Sequence, residues 1–284
     1  MFKSLFGIAP QQETDGSFRP SKVALKLSTS KVSDFEKVSY TPYQGKRSKI
    51  LVIFTEQKNM KMQNGKEFST GNHPVEALLP MLHLRNAGFE FEIATPTGKP
   101  VVFEMWAMPT EDKEVVGIYE DLKSSFERPT PLHEVVESLS DKTGSYAAVF
   151  VPGGHGAMLG IPEDPNVGTV LRWAHENELF TISLCHGPGS FLATTLEGNE
   201  FIYSGYNMAV FPDSVDKKTP MIGYLPGAMP WRLQEKLATL GAKFANEKAD
   251  NTCCVDRRLI TGASPLAANE LGKLAATTLL ERVT

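Results

Sequence analysis

Cys185 is the residue around which chemistry could be organised. The run ahead of it, Phe180-Thr181-Ile182-Ser183-Leu184, has the composition of a buried parallel strand. It stops abruptly at Cys185-His186-Gly187-Pro188-Gly189, and helical-looking sequence from Ser190 to Leu196 follows at once. A strand that breaks at one nucleophile and turns straight into a helix is the layout of a nucleophile elbow. In that layout Gly187 permits the tight turn and Pro188 takes the first helical position. Cys185 then sits at a helix N-terminus, which favours the thiolate. The competing reading is an inert core cysteine at a strand end.

A thiol nucleophile needs a base, a group that orients the base, and donors for developing negative charge. The six histidines are His73, His83, His133, His155, His175 and His186, and none lies downstream of His186. That excludes the arrangement of glutamine amidotransferases, whose base sits in a His-x-Glu near the C-terminus. His186, adjacent to the thiol, is left as the base. Asp216 or Asp213, on the loop Ala209-Val210-Phe211-Pro212-Asp213-Ser214-Val215-Asp216, could orient it. The backbone N–H of His186 supplies one oxyanion donor and that of Gly154 a second. Gly153 and Gly154 belong to Pro152-Gly153-Gly154-His155-Gly156, directly after the apolar run Tyr146 to Val151. Consecutive glycines at a strand's carboxyl end let the backbone approach a ligand. The plain alternative is a tight turn. No Gly-Lys-Ser/Thr follows and no G-x-G-x-x-G is formed, so nucleotide binding is disfavoured. Glu76 falls in the first turn of a helix, either as an acid/base beside the thiol with a raised pKa or simply as a dipole-favoured acid.

These residues must be positioned by a sheet. Lys49 to Thr55 reads as a first parallel strand, with a helix from Pro74 closed by Gly88 and a second strand from Phe89 to Ala94. This βαβ opening predicts a parallel sheet. Tyr146–Val151 and Phe180–Leu184 continue it, Arg258 to Gly262 ends it, and Ser264-Pro265 caps a terminal helix. The expected fold class is α/β, a parallel-sheet sandwich over residues 47–284. Residues 96–139 read as a cap insertion, with an exposed-looking segment at Phe103, Met105, Trp106 and Met108. Residues 1–46 read as an irregular arm.

Composition limits the function. The chain has 284 residues, 41% hydrophobic and 22% charged, with net charge -4. That is an ordinary globular balance with no basic footprint for nucleic acid. Three cysteines, two of them adjacent, argue against a disulfide framework and for a reducing, cytoplasmic setting. No apolar run reaches the ~18 residues that span a bilayer, and the N-terminus lacks a sustained signal-peptide core.

Several long motifs in order carry a resemblance. Ser69 to Glu76, Pro152 to Gly156, Ser183 to Pro188, Trp106 to Pro109, Phe211 to Asp213, Ile222 to Gly227 and Thr261 to Pro265 together resemble the HchA chaperone and deglycase family, a branch of the PfpI-like superfamily. The resemblance runs from about Lys46 to the end of the chain. It implies a flavodoxin-like sandwich, related to class I glutamine amidotransferases, and a homodimer. It implies Cys185 as nucleophile with His186 and Asp216 as triad partners, Asp216 rather than Asp213 being the aligned acid, and Glu76 as acid/base. The implied activity is glutathione-independent conversion of 2-oxoaldehydes such as methylglyoxal to a 2-hydroxy acid, or deglycation of early adducts, without a cofactor. A holding chaperone for unfolded clients is the rival, resting on the Phe103–Met108 apolar segment, for which dimer core is the preferred reading. A cysteine peptidase ranks last. One departure matters. Well-known members bind a metal at positions that here read Arg85, Glu90 and Leu122. An Arg is not a Zn²⁺ ligand, so no metal is expected there.

Overall fold

The computed structural model of the protein describes residues 7–142 and 144–283. Seven strands form its central sheet: β1 (Lys49–Ile53), β2 (Glu90–Thr95), β3 (Thr130–Pro131), β4 (Tyr146–Val151), β5 (Phe180–Leu184), β6 (Cys253–Asp256) and β7 (Leu259–Gly262). Their spatial order is β6-β7-β5-β4-β1-β2-β3, parallel throughout except for β6. All residues of β4 and β5 are buried, as strands covered on both faces must be.

Strand periodicity splits the core into two layers. Leu51, Ile53, Val149 and Val151 point to one side. Ile50, Val52, Ala148, Phe150, Ile182 and Leu184 point to the other. Helix α1 (Pro74–Asn86), helix α2 (Lys113–Glu127) and the C-terminal helix α4 (Ala268–Arg282) cover the second side, while α3 (Pro165–Glu176) covers the first. Each fully buried aliphatic side chain contributes roughly 1.5–3 kcal/mol relative to exposure. The expected α/β sandwich is the one found.

Three expectations need correction. The arm expected over 1–46 is not irregular throughout 7–46, and its residues 1–6 lie outside the described residues. Strands Gln11–Gln12 and Phe18–Arg19 and a helix, Lys22–Ser28, are ordered in it. The two strands join Asn59–Lys61 and Glu67–Ser69 in a small sheet, and the Ser21 hydroxyl both caps the helix and donates to Ile222 O. These strands are too short to leave a periodic signal in the sequence. Second, residues 96–139, read as a cap insertion, also build part of the main body. Helix α2 packs on α1, and β3 extends the central sheet. Third, the Phe103–Met108 segment is not a free apolar surface. Met108 is buried, Phe103 packs among Phe54, Tyr119 and Phe126, and Trp106 packs against Phe68 and Tyr224. Only Met105 is exposed, at 51%. Among the described residues no helix is long and apolar enough to cross a membrane.

Candidate active site

The site lies beyond the carboxyl ends of β4 and β5, where parallel α/β sheets place their ligands. Leaving β5, Cys185 takes φ +59°, a left-handed conformation that a non-glycine residue adopts only when its surroundings enforce it. Its N–H donates to Gly262 O (2.8 Å), and its carbonyl accepts from the Phe211 N–H (2.9 Å), so both sides of the elbow are pinned. The turn expected at Gly187 is therefore made one residue pair earlier, by the cysteine. Gly187 serves close approach instead. A Cβ there would collide with Ser183 Oγ and lie 2.6 Å from Val151 O. The segment after the elbow, Gly187–Gly198, is 3₁₀ rather than α-helical, with a kink at Leu196 and Glu197.

The structure brings the predicted residues together. Cys185 Sγ lies 3.3 Å from His186 Nδ1. His186 Nε2 lies 2.8 Å from Asp216 Oδ2. With the Nε2 proton directed at the carboxylate, the Nδ1 lone pair faces the thiol, which is the tautomer a base requires. Phe211 stacks on the His186 ring at 4.6 Å and fixes its plane. All four groups of the predicted set, Cys185, His186, Asp216 and Glu76, are buried. Asp213 is elsewhere engaged: its carboxylate accepts from the backbone N–H groups of Gln234 and Glu235 at the start of the short helix Leu233–Thr239.

Two acids behave in opposite ways. Burial would push Asp216 up, but His186 and His155 on either side hold it well below the usual carboxylate range. Among the described residues no cation acts on Glu76. Burial pushes its carboxyl well above the ordinary value. Burial, then Glu76 itself, also pushes the Cys185 thiol up, which corrects the expectation of a thiolate favoured by a helix N-terminus. A 3₁₀ turn at the elbow aligns fewer N–H groups than an α-helix would, and two acids stand close. The Glu76–Cys185 pair thus retains a proton at neutral pH. When Glu76 carries it, the carboxyl can donate to the sulfur.

The oxyanion donors expected at Gly154 and His186 line the same cavity as the thiol. The Gly154 N–H faces both the Glu76 carboxyl and the sulfur. Gly153 is required by space. A Cβ on it would collide with Glu76 Oε2 and lie 2.8 Å from Cys185 Cβ, and its carbonyl accepts from the His73 N–H at 3.0 Å.

The cavity encloses about 300 Å³. Sequence reasoning assigned no role to several of its residues. His155 Nε2 lies 3.0 Å from Asp216 Oδ1, so Asp216 serves two imidazoles whose rings are 4.0 Å apart. His73, Glu104 and Tyr224 also line it, with Leu27 and Ser28 from the N-terminal helix at its mouth. His155 carried a signal, directly after the glycine pair. Glu104 carried another, as a lone acid in an apolar run. Among the described residues, His155, His186 and Asp216 are also the one cluster spaced to hold a metal ion, with ligand atoms within 4.8 Å of one another. The positions Arg85, Glu90 and Leu122 do not fit one. Arg85 is paired with Asp121 at 2.8 Å, and Leu122 packs against the apolar core.

Solved structures of low sequence identity share this architecture. The chain aligns with glyoxalase III from Candida albicans at TM-score 0.63 and 22% identity, covering 82% of this chain and 98% of that one. It aligns with the Rapid Encystment Protein of 24 kDa from Francisella tularensis at TM-score 0.68 and 19% identity, covering 82% and 99%. A ThiJ/PfpI domain protein from Brachyspira murdochii matches at TM-score 0.51 and 13% identity, covering 84% and 100%. These likenesses place the fold, an α/β sandwich on a mostly parallel central sheet. The sequence is more specific. It is 49% identical over 267 residues to the protein/nucleic acid deglycase HchA of Escherichia coli strains O1:K1 and O157:H7, covering 94% of this chain and 93% of theirs. The chain belongs to the HchA deglycase family. No general family model matches it.

Proposed function

We propose that this protein is a cysteine-dependent deglycase and glyoxalase. Its substrates are 2-oxoaldehydes such as methylglyoxal, or their early adducts on proteins and nucleotides, and it releases a 2-hydroxy acid, lactate in the case of methylglyoxal. The observation that carries this reading is the strained elbow. A buried thiol at φ +59° faces an imidazole at 3.3 Å and a neutral-favoured carboxyl in a small cavity. Membership of a family whose relatives are named deglycases supports it.

In the proposed scheme Cys185 adds to the aldehyde carbon, C1. An Sγ–C1 bond forms, the carbonyl π bond opens, and its oxygen takes, by way of His186 Nδ1, the one proton that the Glu76–Cys185 pair held. Glu76, now a carboxylate, removes the hydrogen from C1 and returns it to C2. The hydroxyl proton passes from the oxygen on C1 to that on C2. C1 is oxidised and C2 reduced within one molecule, so no external oxidant or cofactor is needed. Water then cleaves the thioester, releasing the 2-hydroxy acid and restoring the thiol. His186, oriented by Asp216, activates first the thiol and then the water. The N–H groups of Gly154 and His186 stabilise the oxyanions. In deglycation the same thiol attacks an aminocarbinol and the amine departs.

The test is methylglyoxal consumption without glutathione, with lactate followed as product. Wild type should turn over and Cys185→Ser should not. Full turnover by Cys185→Ser would sink the reading. From the family resemblance we also take a homodimer, which light scattering of the purified chain would check.

A further inference from the structure

Six side-chain polar atoms among the described residues are buried without a hydrogen-bond partner in the chain, and three of them line the Cys185 cavity: His73 Nδ1, Glu76 Oε2 and Glu104 Oε2. A buried polar atom left unpaired is costly, so such atoms rarely gather by accident. Glu76 has its place in the scheme above. Glu104 does not. Glu104 is 1% exposed, and one of its carboxyl oxygens accepts from the Thr70 hydroxyl at 2.6 Å. Its backbone is tied to Asn72 O at 3.0 Å, next to His73, so the side chain is held rigidly. Among the described residues no Lys or Arg pairs with it. Burial raises it to about 7, so much of it is neutral at physiological pH and can donate as well as accept.

We propose that Glu104 is a specificity-determining residue that holds the oxygen on the carbon next to the one Cys185 attacks. The site would then select vicinal dioxygenated carbon pairs, as carbonyl, hydrate or carbinol, over simple monoaldehydes. This rests on the aldehyde-addition reading. A carboxyl with a free O–H and a free lone pair matches a carbonyl or a hydroxyl equally, which a fixed donor would not. A buried polar group strongly rejects a ligand that leaves it unpaired.

The experiment measures protection of Cys185 against iodoacetamide alkylation, followed by mass spectrometry, in wild type, Glu104→Leu and Glu104→Gln. The two protecting aldehydes are methylglyoxal, with two vicinal oxygens, and propanal, with one. In Glu104→Leu the methylglyoxal concentration needed for half-protection should rise about 10- to 100-fold while that for propanal stays within about twofold. Glu104→Gln, which keeps a donor and an acceptor, should restore protection to within about fivefold of wild type. An equal loss for both aldehydes, or no loss for either, overturns the proposal. Propanal also reports that the cavity of each variant is intact. If neither aldehyde protects the wild-type thiol, the addition reading itself fails, and the proposal with it.

Discussion

Cys185 and the pair Cys253–Cys254 place thiols of one chain in two settings. All three are free, and burial raises all three, Cys253 to about 12. Thiol acidity therefore does not distinguish them. Their neighbours do. Cys253 and Cys254 sit on β6, an edge strand in regular antiparallel register with β7. Their sulfurs face backbone carbonyls, those of Asn251 and Ala267 for Cys253 and that of Asn207 for Cys254. A carbonyl oxygen can accept a hydrogen bond but cannot take the proton. Cys185 sits on a strained elbow, and His186 Nδ1 at 3.3 Å can take it. A nucleophile is made by what can receive its proton and by a backbone that aims it, more than by burial or resident charge.

The largest effect should separate these settings outright. Cys185→Ser should lower methylglyoxal turnover at least about 10³-fold, whereas Cys253→Ser and Cys254→Ser should stay within about twofold of wild type. Steady-state kinetics on the three variants checks this. Comparable losses at β6 would break the comparison.

The same contrast explains what the sequence reveals. Strand β4 is legible to the residue because Tyr146–Val151 is one uninterrupted apolar run, buried on both faces. β6 is invisible, since its residues are half-buried or exposed and its apolar pattern is short. Cys185, His186 and the glycine pair announce themselves because each is written into a few consecutive residues. That adjacent Cys and His side chains face each other is not, because it depends on the +59° φ that the fold imposes. The role of His155 is hidden for another reason: its partner Asp216 is 61 residues away. Glu104 meets Thr70 across 34 residues, and only the folded chain joins them. The small sheet in the N-terminal stretch stayed hidden because two-residue strands have no period to detect.

Next in size is a pH effect confined to the Cys185 cavity. Glu104 is raised from 4.5 to about 7 by burial. A carboxyl whose folded pKa is raised stabilises the fold fully below its unfolded pKa, and that contribution is lost as pH rises through the folded one. Between pH 4.5 and about 7, wild type should lose about 3 kcal/mol at this site, while Glu104→Gln loses none of it. Subtracting the two denaturation curves removes the titrations of the facing groups Glu76, His73, His155 and Tyr224, which both proteins share. The stability difference, Glu104→Gln minus wild type, should therefore grow with pH across that window. A difference independent of pH would mean that Glu104 is charged throughout, and the cavity would lose its neutral donor. Somewhat smaller, Asp216→Asn should cut kcat about 10²-fold, because an amide neither favours the imidazolium nor fixes the His186 tautomer. Activity within threefold of wild type would show that Phe211 stacking alone positions the ring.

The smallest effect sharpens the comparison at a second pair of like residues. Asp213 and Asp216 lie three positions apart on one short helix, yet they face different tasks. Asp216 is buried between His155 and His186. Asp213 instead accepts from the Gln234 and Glu235 N–H groups at 3.1 and 3.0 Å, closing the start of a helix. Removing a helix-capping acid costs about 1 kcal/mol. Asp213→Ala should accordingly lower unfolding free energy by about 1 kcal/mol in urea while leaving kcat within twofold. Asp216→Asn should show the reverse balance, losing turnover out of proportion to stability. If Asp213→Ala instead lost turnover at unchanged stability, the acid serving His186 would have been assigned to the wrong residue of the pair.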